Sequence, residues 1–176
     1  MSTIIAVVFA LVFGSAAIAG LSAAPWVPTK PKQRSYLIDE LNPKDGETYY
    51  DLGCGDGTVL FALARKNPNV HAVGYDISLL PLLIGKTRKL LGGKKYRNVS
   101  LRFGNLFKAN ISEADVVFVF LLEKSYPKLL KKFKNEVRDD MTVVVEAWPF
   151  KNIAPAREIK SENLLPVYFY DGSSFR

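Results

Sequence analysis

Tyr49-Tyr-Asp-Leu-Gly-Cys-Gly-Asp-Gly57 decides the fold. A short apolar run closes on an acid, Asp51, and glycines follow at 53, 55 and 57. Thr58-Val-Leu-Phe-Ala-Leu-Ala-Arg65 then continues as a predicted helix. Strand, glycine turn and helix start together suit a nucleotide-like ligand. Glycines let the backbone turn sharply and leave no side chain between it and the ligand. The acid selects among such ligands. A carboxylate at the strand end repels a pyrophosphate and attracts a cationic amino group.

S-adenosylmethionine (SAM) carries that amine and no phosphate. The turn resembles motif I of the class I SAM-dependent methyltransferases, an acid followed by alternating glycines, which Asp51, Gly53, Gly55 and Gly57 fit. The dinucleotide fingerprint Gly-x-Gly-x-x-Gly fits less well, because the third glycine comes one place early. A nucleotide-binding Rossmann domain and an ordinary tight turn are the competing readings. The resemblance implies an α/β, Rossmann-like, mostly parallel sheet with helices on both faces.

The remaining strands stand at matching distances. Residues 70–76 form a second short strand ending in Asp76, about 20 residues past the turn, where such folds place a carboxylate for ribose hydroxyls. A helix N-terminal role before Ser78 is the alternative for Asp76. A third strand, 99–103, leads to Gly104-Asn105. The family often has an acid near the adenine amino group there, so Asn105 is a departure. Its side-chain oxygen can accept that hydrogen bond, or Asn105 can simply be a turn residue. Residues 115–122 read as a buried fourth strand and 141–146 as a fifth. Helices are predicted at 58–66, 78–91 and 126–137, which alternates with the strands as βαβ units require. The tail 157–175 offers one or two more strands, the better at 164–170, where Pro166 predicts an edge position or an irregular start.

Thr3 to Ala24 contains no charged residue in 22 positions. That exceeds the roughly 18–20 apolar residues that cross a bilayer as a helix. Gly14, Ser15, Ala16 and Ala17 are small enough to admit another helix. A cleaved signal peptide fits poorly, because no basic n-region precedes the run and Pro25 follows the small residues. The expected organisation is a transmembrane helix at 1–24, a membrane-exit connector at 25–35, and a methyltransferase domain at 36–176. Residues 3–24 are expected to meet the bilayer. Lys30, Lys32 and Arg34 place the domain on the cytoplasmic or equivalent inner side of this single-pass arrangement.

The connector Ala24-Pro-Trp-Val-Pro-Thr29 places Trp26 as an interfacial anchor and stiffens the exit with two prolines. A small residue, Pro, aromatic, Val, Pro and Thr between one transmembrane helix and motif I resembles the membrane-anchored protein-lysine methyltransferases. The mitochondrial enzymes of that family modify lysines of the ATP synthase C protein and of the ADP/ATP carrier, and prokaryotic relatives share the architecture. The resemblance covers residues 20–150. It implies that Pro28 and Thr29 lie against the cofactor as part of a lid; a simple exit linker is the alternative.

Methyl transfer from a sulfonium is an in-line displacement, so positioning and desolvation supply much of the rate. Acceptor-side groups belong beyond the fourth strand, because ligands sit at the carboxyl ends of parallel strands. Glu123, to hold an ammonium, and Tyr126, to line the channel, are the catalytic candidates; Lys124 and Ser125 lie beside them. Glu146 and Trp148 rank second. Helix capping by Glu123 and a core role for Trp148 are the alternatives. The only cysteine, Cys54, reads as a small packing residue, and the lone His71 belongs to no metal-spaced cluster. No metal is expected.

The chain of 176 residues carries 24 bases against 17 acids, a net charge of +7. Eight bases and no acid lie between Asp76 and Glu113, and Lys124, Lys128, Lys131, Lys132 and Lys134 form a second group. Solvated helix faces or attraction to anionic lipid explain them. Nucleic acid is disfavoured as a partner: no Asn-Pro-Pro-Tyr stretch follows the fourth strand, and no aromatic-basic RNA signature is present. The expected function is SAM-dependent protein-lysine N-methylation of a membrane protein at the bilayer. The alternatives are methylation of a lipid or lipophilic small molecule, and a non-enzymatic SAM-binding scaffold.

Overall fold

A computed structural model describes residues 2–176. Met1, the first residue of the expected span, lies outside the described residues. Seven strands form one sheet: β1 Thr48–Leu52, β2 His71–Asp76, β3 Val99–Phe103, β4 Val116–Val119, β5 Thr142–Glu146, β6 Arg157–Ile159 and β7 Val167–Asp171. Their spatial order is β3-β2-β1-β4-β5-β7-β6. β1 to β5 are mutually parallel, and β7 runs antiparallel to both β5 and β6. The order reverses beside β1, and that crevice is where ligands bind in such sheets.

Five α-helices accompany the sheet among the described residues: α1 Ser2–Ser22, α2 Pro31–Leu41, α3 Thr58–Lys66, α4 Leu79–Gly92 and α5 Tyr126–Glu136. Side chains alternate across each strand, so two cores form. Tyr50, Leu52, Val117, Val119, Val143 and Val145 pack with α5 on one face. Tyr49, Phe118, Val144 and Phe169 pack with α2 and α3 on the other.

Several boundaries differ from the sequence reading for physical reasons. α2 begins inside the expected connector. Pro31 occupies its first turn, where the missing N–H is no loss, and Leu37 and Ile38 are its main buried apolar contacts. β4 ends at Val119, because the chain leaves the sheet before a short 3₁₀ turn at Glu123–Ser125. Pro166 directly precedes β7, which starts at Val167 and lies in the sheet interior, so β6 takes the expected edge position. Pro166 lies just outside the ladder, and its carbonyl accepts the Ala147 N–H at 2.9 Å.

The lysines of α5 are not uniformly solvated. Lys132 is buried; its ammonium donates to the Ala109 carbonyl and pairs with Glu136 at 2.6 Å. Thr3–Ser22 of α1 is long and apolar enough to cross a membrane by length and composition. Its small-residue stretch meets α4 of the same chain, and the Leu79 N–H donates to Ser15 Oγ at 3.1 Å. Lys124 Nζ donates to the Gly20 carbonyl at 2.5 Å, which satisfies an end carbonyl of α1.

Candidate active site

The glycine turn between β1 and α3 is held by main-chain bonds. The Gly53 and Cys54 N–H groups both donate to the Tyr75 carbonyl, at 2.8 and 3.1 Å. Gly53, Gly55 and Gly57 all have positive φ, at 96°, 53° and 74°. Gly57 caps α3 in the left-handed conformation, so a side chain there would be strained. Gly55 also faces a close neighbour: a Cβ on it would lie 2.5 Å from Trp26 Cδ1. The Trp26 indole thus packs directly on the turn, a contact that an interfacial anchor does not require.

Asp76 ties the turn to the start of α4. Its Oδ2 accepts the Gly55 N–H at 2.8 Å and its Oδ1 accepts the Ser78 N–H at 2.7 Å. Each oxygen keeps a further lone pair, and Asp76 lines the cavity above the turn. Both roles read for Asp76, helix entry and ligand contact, are therefore sterically open to it. Asn105 accepts the Phe107 N–H through Oδ1 at 3.0 Å, the turn role, while also lining the cavity.

Asp51 is buried on the same sheet face as Phe118 and Val144, its neighbours across the ladder. Burial pushes its carboxyl well above the usual range, and the charges of Asp76, Glu146 and Asp56 push it further. Among the described residues Asp51, Asp76 and Glu146 form no ion pair. Asp56 is the exception, paired with the Arg88 guanidinium of α4 at 3.0 Å. An acidic floor of this kind fits a ligand that brings its own positive charge. Burial, then Asp51 and Asp76, also raise the Cys54 thiol, which suits packing and not nucleophilic attack.

The cavity encloses about 270 Å³. Asp51, Gly53, Gly55, Asp76 and Asn105 all line it, whereas Gly57 lies behind it as the helix cap. Pro28 and Thr29 line it from the connector side. Phe120 and Trp148 form the opposite wall, with rings stacked at 6.2 Å and 13°.

The two acceptor-side candidates are not brought into this cavity. Glu123 pairs with Lys151 at 3.4 Å, on an exposed surface. The Tyr126 hydroxyl donates to the Trp148 carbonyl at 2.6 Å from within the core. Its position makes it a support for the loop that carries Trp148. Sequence spacing alone ranks these residues above Trp148, because it cannot tell which way an exit loop turns. Glu146, just below that loop, is fully buried, and neither carboxylate oxygen has a hydrogen-bond partner among the described residues. Burial raises it to about 7, and the nearby Gln33 amide draws it down. That amide is itself engaged on both sides by Leu165 and forms no hydrogen bond with Glu146. Among the described residues no cluster of potential metal ligands occurs.

Known proteins match this arrangement. A protein-lysine N-methyltransferase of Saccharolobus islandicus is 30% identical over 143 residues, covering 79% of this chain and 86% of the relative. The human lysine N-methyltransferase of the ATP synthase C protein is 28% identical over 152 residues, covering 86% of this chain but only 63% of that enzyme. Among solved structures, an RNA methyltransferase of Salinibacter ruber with bound S-adenosyl-L-homocysteine superimposes with a TM-score of 0.76 at 28% identity. That match covers 82% of this chain and 93% of the other. The profile of the ANTKMT methyltransferase domain matches residues 51–157, from the buried acid of motif I to the edge strand, and the chain belongs to that methyltransferase family.

Proposed function

We propose that the chain is a SAM-dependent protein-lysine N-methyltransferase, tethered to a membrane and acting on a membrane protein. The observation that carries this is the cavity itself. Its floor holds the buried Asp51 carboxyl, which no cation pairs among the described residues, and its roof is the connector that leaves an apolar helix. SAM supplies an electrophilic methyl group and the positive charge the floor lacks. Asp51 offers a carboxylate to its amino group, and the spare lone pairs of Asp76 face its ribose hydroxyls. Asn105 lies at the adenine end, and Thr29 closes over the ligand from the connector.

The acceptor enters against Phe120 and Trp148. A lysine must be neutral to attack, and removal from water on entering the cavity disfavours the ammonium form. Proton loss to water on entry is sufficient, so no dedicated base is required. The names of the two lysine methyltransferase relatives support the acceptor class. The ATP synthase methylating relative supports a membrane-protein substrate, which a tether brings to high effective concentration. The cytoplasmic or equivalent inner side follows from the bases after α1.

An RNA acceptor is the second reading, favoured by the name of the Salinibacter ruber neighbour and by the basic stretch between Asp76 and Glu113. The test incubates the purified full-length chain with methyl-labelled SAM and native membranes. Label in a protein band, absent with Asp51→Ala, is expected. Label recovered in the lipid extract or in RNA overturns the acceptor assignment. Absence of SAM binding by calorimetry overturns the enzymatic reading altogether.

A further inference from the structure

We infer that α4 is a second membrane element, an amphipathic helix that lies in the face of an anionic lipid bilayer beside α1. The inference rests on the membrane reading proposed above. α4 exposes Leu80, Leu83, Ile84, Leu90 and Leu91, at 47, 63, 39, 80 and 83%. Their spacing of three, four and seven residues puts them on one stripe. An isolated exposed leucine is ordinary, but four leucines and an isoleucine on one helix face, grouped around Thr87, form an extended and mainly apolar surface. The opposite side of the helix, through Pro81, Leu82 and Gly85, packs on the domain.

Two observations identify the occupant as lipid. The first is continuity. The Leu79 N–H donates to Ser15 Oγ, so α4 starts alongside α1. Ser15 precedes the end of α1 at Ser22 by seven residues, or about 10 Å of helix rise. If α1 crosses a bilayer, the first turn of α4 lies at the depth to which interfacial helices sink, roughly 5–10 Å. The second is charge. Lys86 borders the stripe, Lys94, Lys95 and Arg97 follow its end, and no acid occurs between Asp76 and Glu113. Basic residues beside an apolar stripe match anionic headgroups. The cavity is lined by Ile77 and Ser78 at the start of α4, so this docking sets its mouth close to the bilayer.

Spin labels on single cysteines in the full-length chain test this. Cys54 is buried, so labels go to Leu83→Cys, Leu91→Cys, Val8→Cys in α1, and Lys44→Cys at the far end of the sheet. The proteins are reconstituted in vesicles of phosphatidylcholine and phosphatidylserine. Relaxation by oxygen is compared with relaxation by a water-soluble nickel chelate. Lipid-type exposure at positions 83 and 91, as at position 8, with aqueous exposure at 44, is expected. Aqueous exposure at 83 and 91 with lipid exposure at 8 overturns the α4 assignment and leaves the tether intact. Aqueous exposure at 8 as well overturns the tether reading itself. Poor access of both reagents at 83 and 91 means that protein covers the stripe, which also overturns the inference.

Discussion

Glu146→Gln should stabilise the protein at alkaline pH and leave it almost unchanged at acid pH. The Glu146 carboxylate is fully buried and unpartnered among the described residues, and burial raises it from an ordinary 4.5 to about 7. The folded state therefore holds the proton more tightly than the unfolded chain does. Its contribution is fully present below the unfolded value of 4.5. It is lost as pH rises through the folded value near 7. A displacement of that size corresponds to about 3 kcal/mol between the two limits. Glutamine has the same shape and no charge, but it buries an amide with no partner at a cost of about 1 kcal/mol. The net gain at pH 8 is about 2 kcal/mol, or roughly 4–8 °C in Tm for a chain of this length. At pH 5 the carboxyl is largely protonated and the difference should nearly vanish.

The assay is thermal unfolding of the full-length protein in mild detergent, followed by circular dichroism across that pH range. Asp51 is also raised by burial, so both proteins keep some loss of stability with rising pH. The difference between the two curves isolates Glu146. A difference independent of pH would refute the argument, because a neutral side chain cannot create the wild-type slope. A less stable glutamine variant at pH 8 would show that the carboxylate has a partner in solution.

Three further outcomes follow from the site. Asp51→Asn should weaken SAM binding in calorimetry by about 10–100-fold, the worth of one charge-assisted hydrogen bond, without lowering Tm, since it removes a buried charge lacking a cation; an unchanged affinity would refute its role. Tyr126→Phe should cost about 1 kcal/mol in thermal unfolding, because the buried hydroxyl's hydrogen bond to the Trp148 carbonyl is lost, and leave the SAM affinity as it was; an unaltered Tm would contradict the supporting role. Trp148→Ala should raise KM for the protein acceptor several-fold, by roughly 1 kcal/mol of lost aromatic contact, with the Kd for SAM held; the reverse pattern in steady-state kinetics would assign that wall to the cofactor.

The sequence exposes what depends on local backbone demands and conceals what depends on tertiary direction. Asp51 to Gly57 is legible because three positive-φ positions admit glycine and little else. β2, β3 and α3 are legible because their apolar periods are unbroken. α2 is not, since its few buried apolar residues sit among Lys32, Arg34, Asp39 and Glu40 and form too short a pattern. The direction of the loop beyond β4 is equally illegible. It is fixed by Lys124 on the end of α1 and by Lys151 on Glu123, contacts across 104 and 28 positions of chain. The same long-range dependence hides the Trp26–Gly55 contact, which needs α1 and the connector folded back over the turn.

α4 connects these separate observations. Its Gly85 approaches the turn so closely that a Cβ would lie 2.5 Å from the Asp56 carbonyl oxygen. Its Arg88 pairs with the Asp56 carboxylate, and the N–H of its capping residue Ser78 donates to Asp76. Two of the three acids around the turn are thus held through α4 or its cap, while Asp51 has neither contact. The uncompensated charge is concentrated at the strand end where a cationic ligand meets it. The opposite side of the same helix carries the exposed leucines. A force that moves α4 relative to the sheet must therefore act on the glycine turn through Gly85, Arg88 and Ser78. On the membrane reading, docking of the leucine stripe braces the cofactor floor from behind. Arg88→Ala should then weaken SAM binding more in detergent micelles than in anionic vesicles, where the docked helix still holds the turn. Calorimetry in the two media measures this, and an equal loss in both would disconnect the stripe from the site.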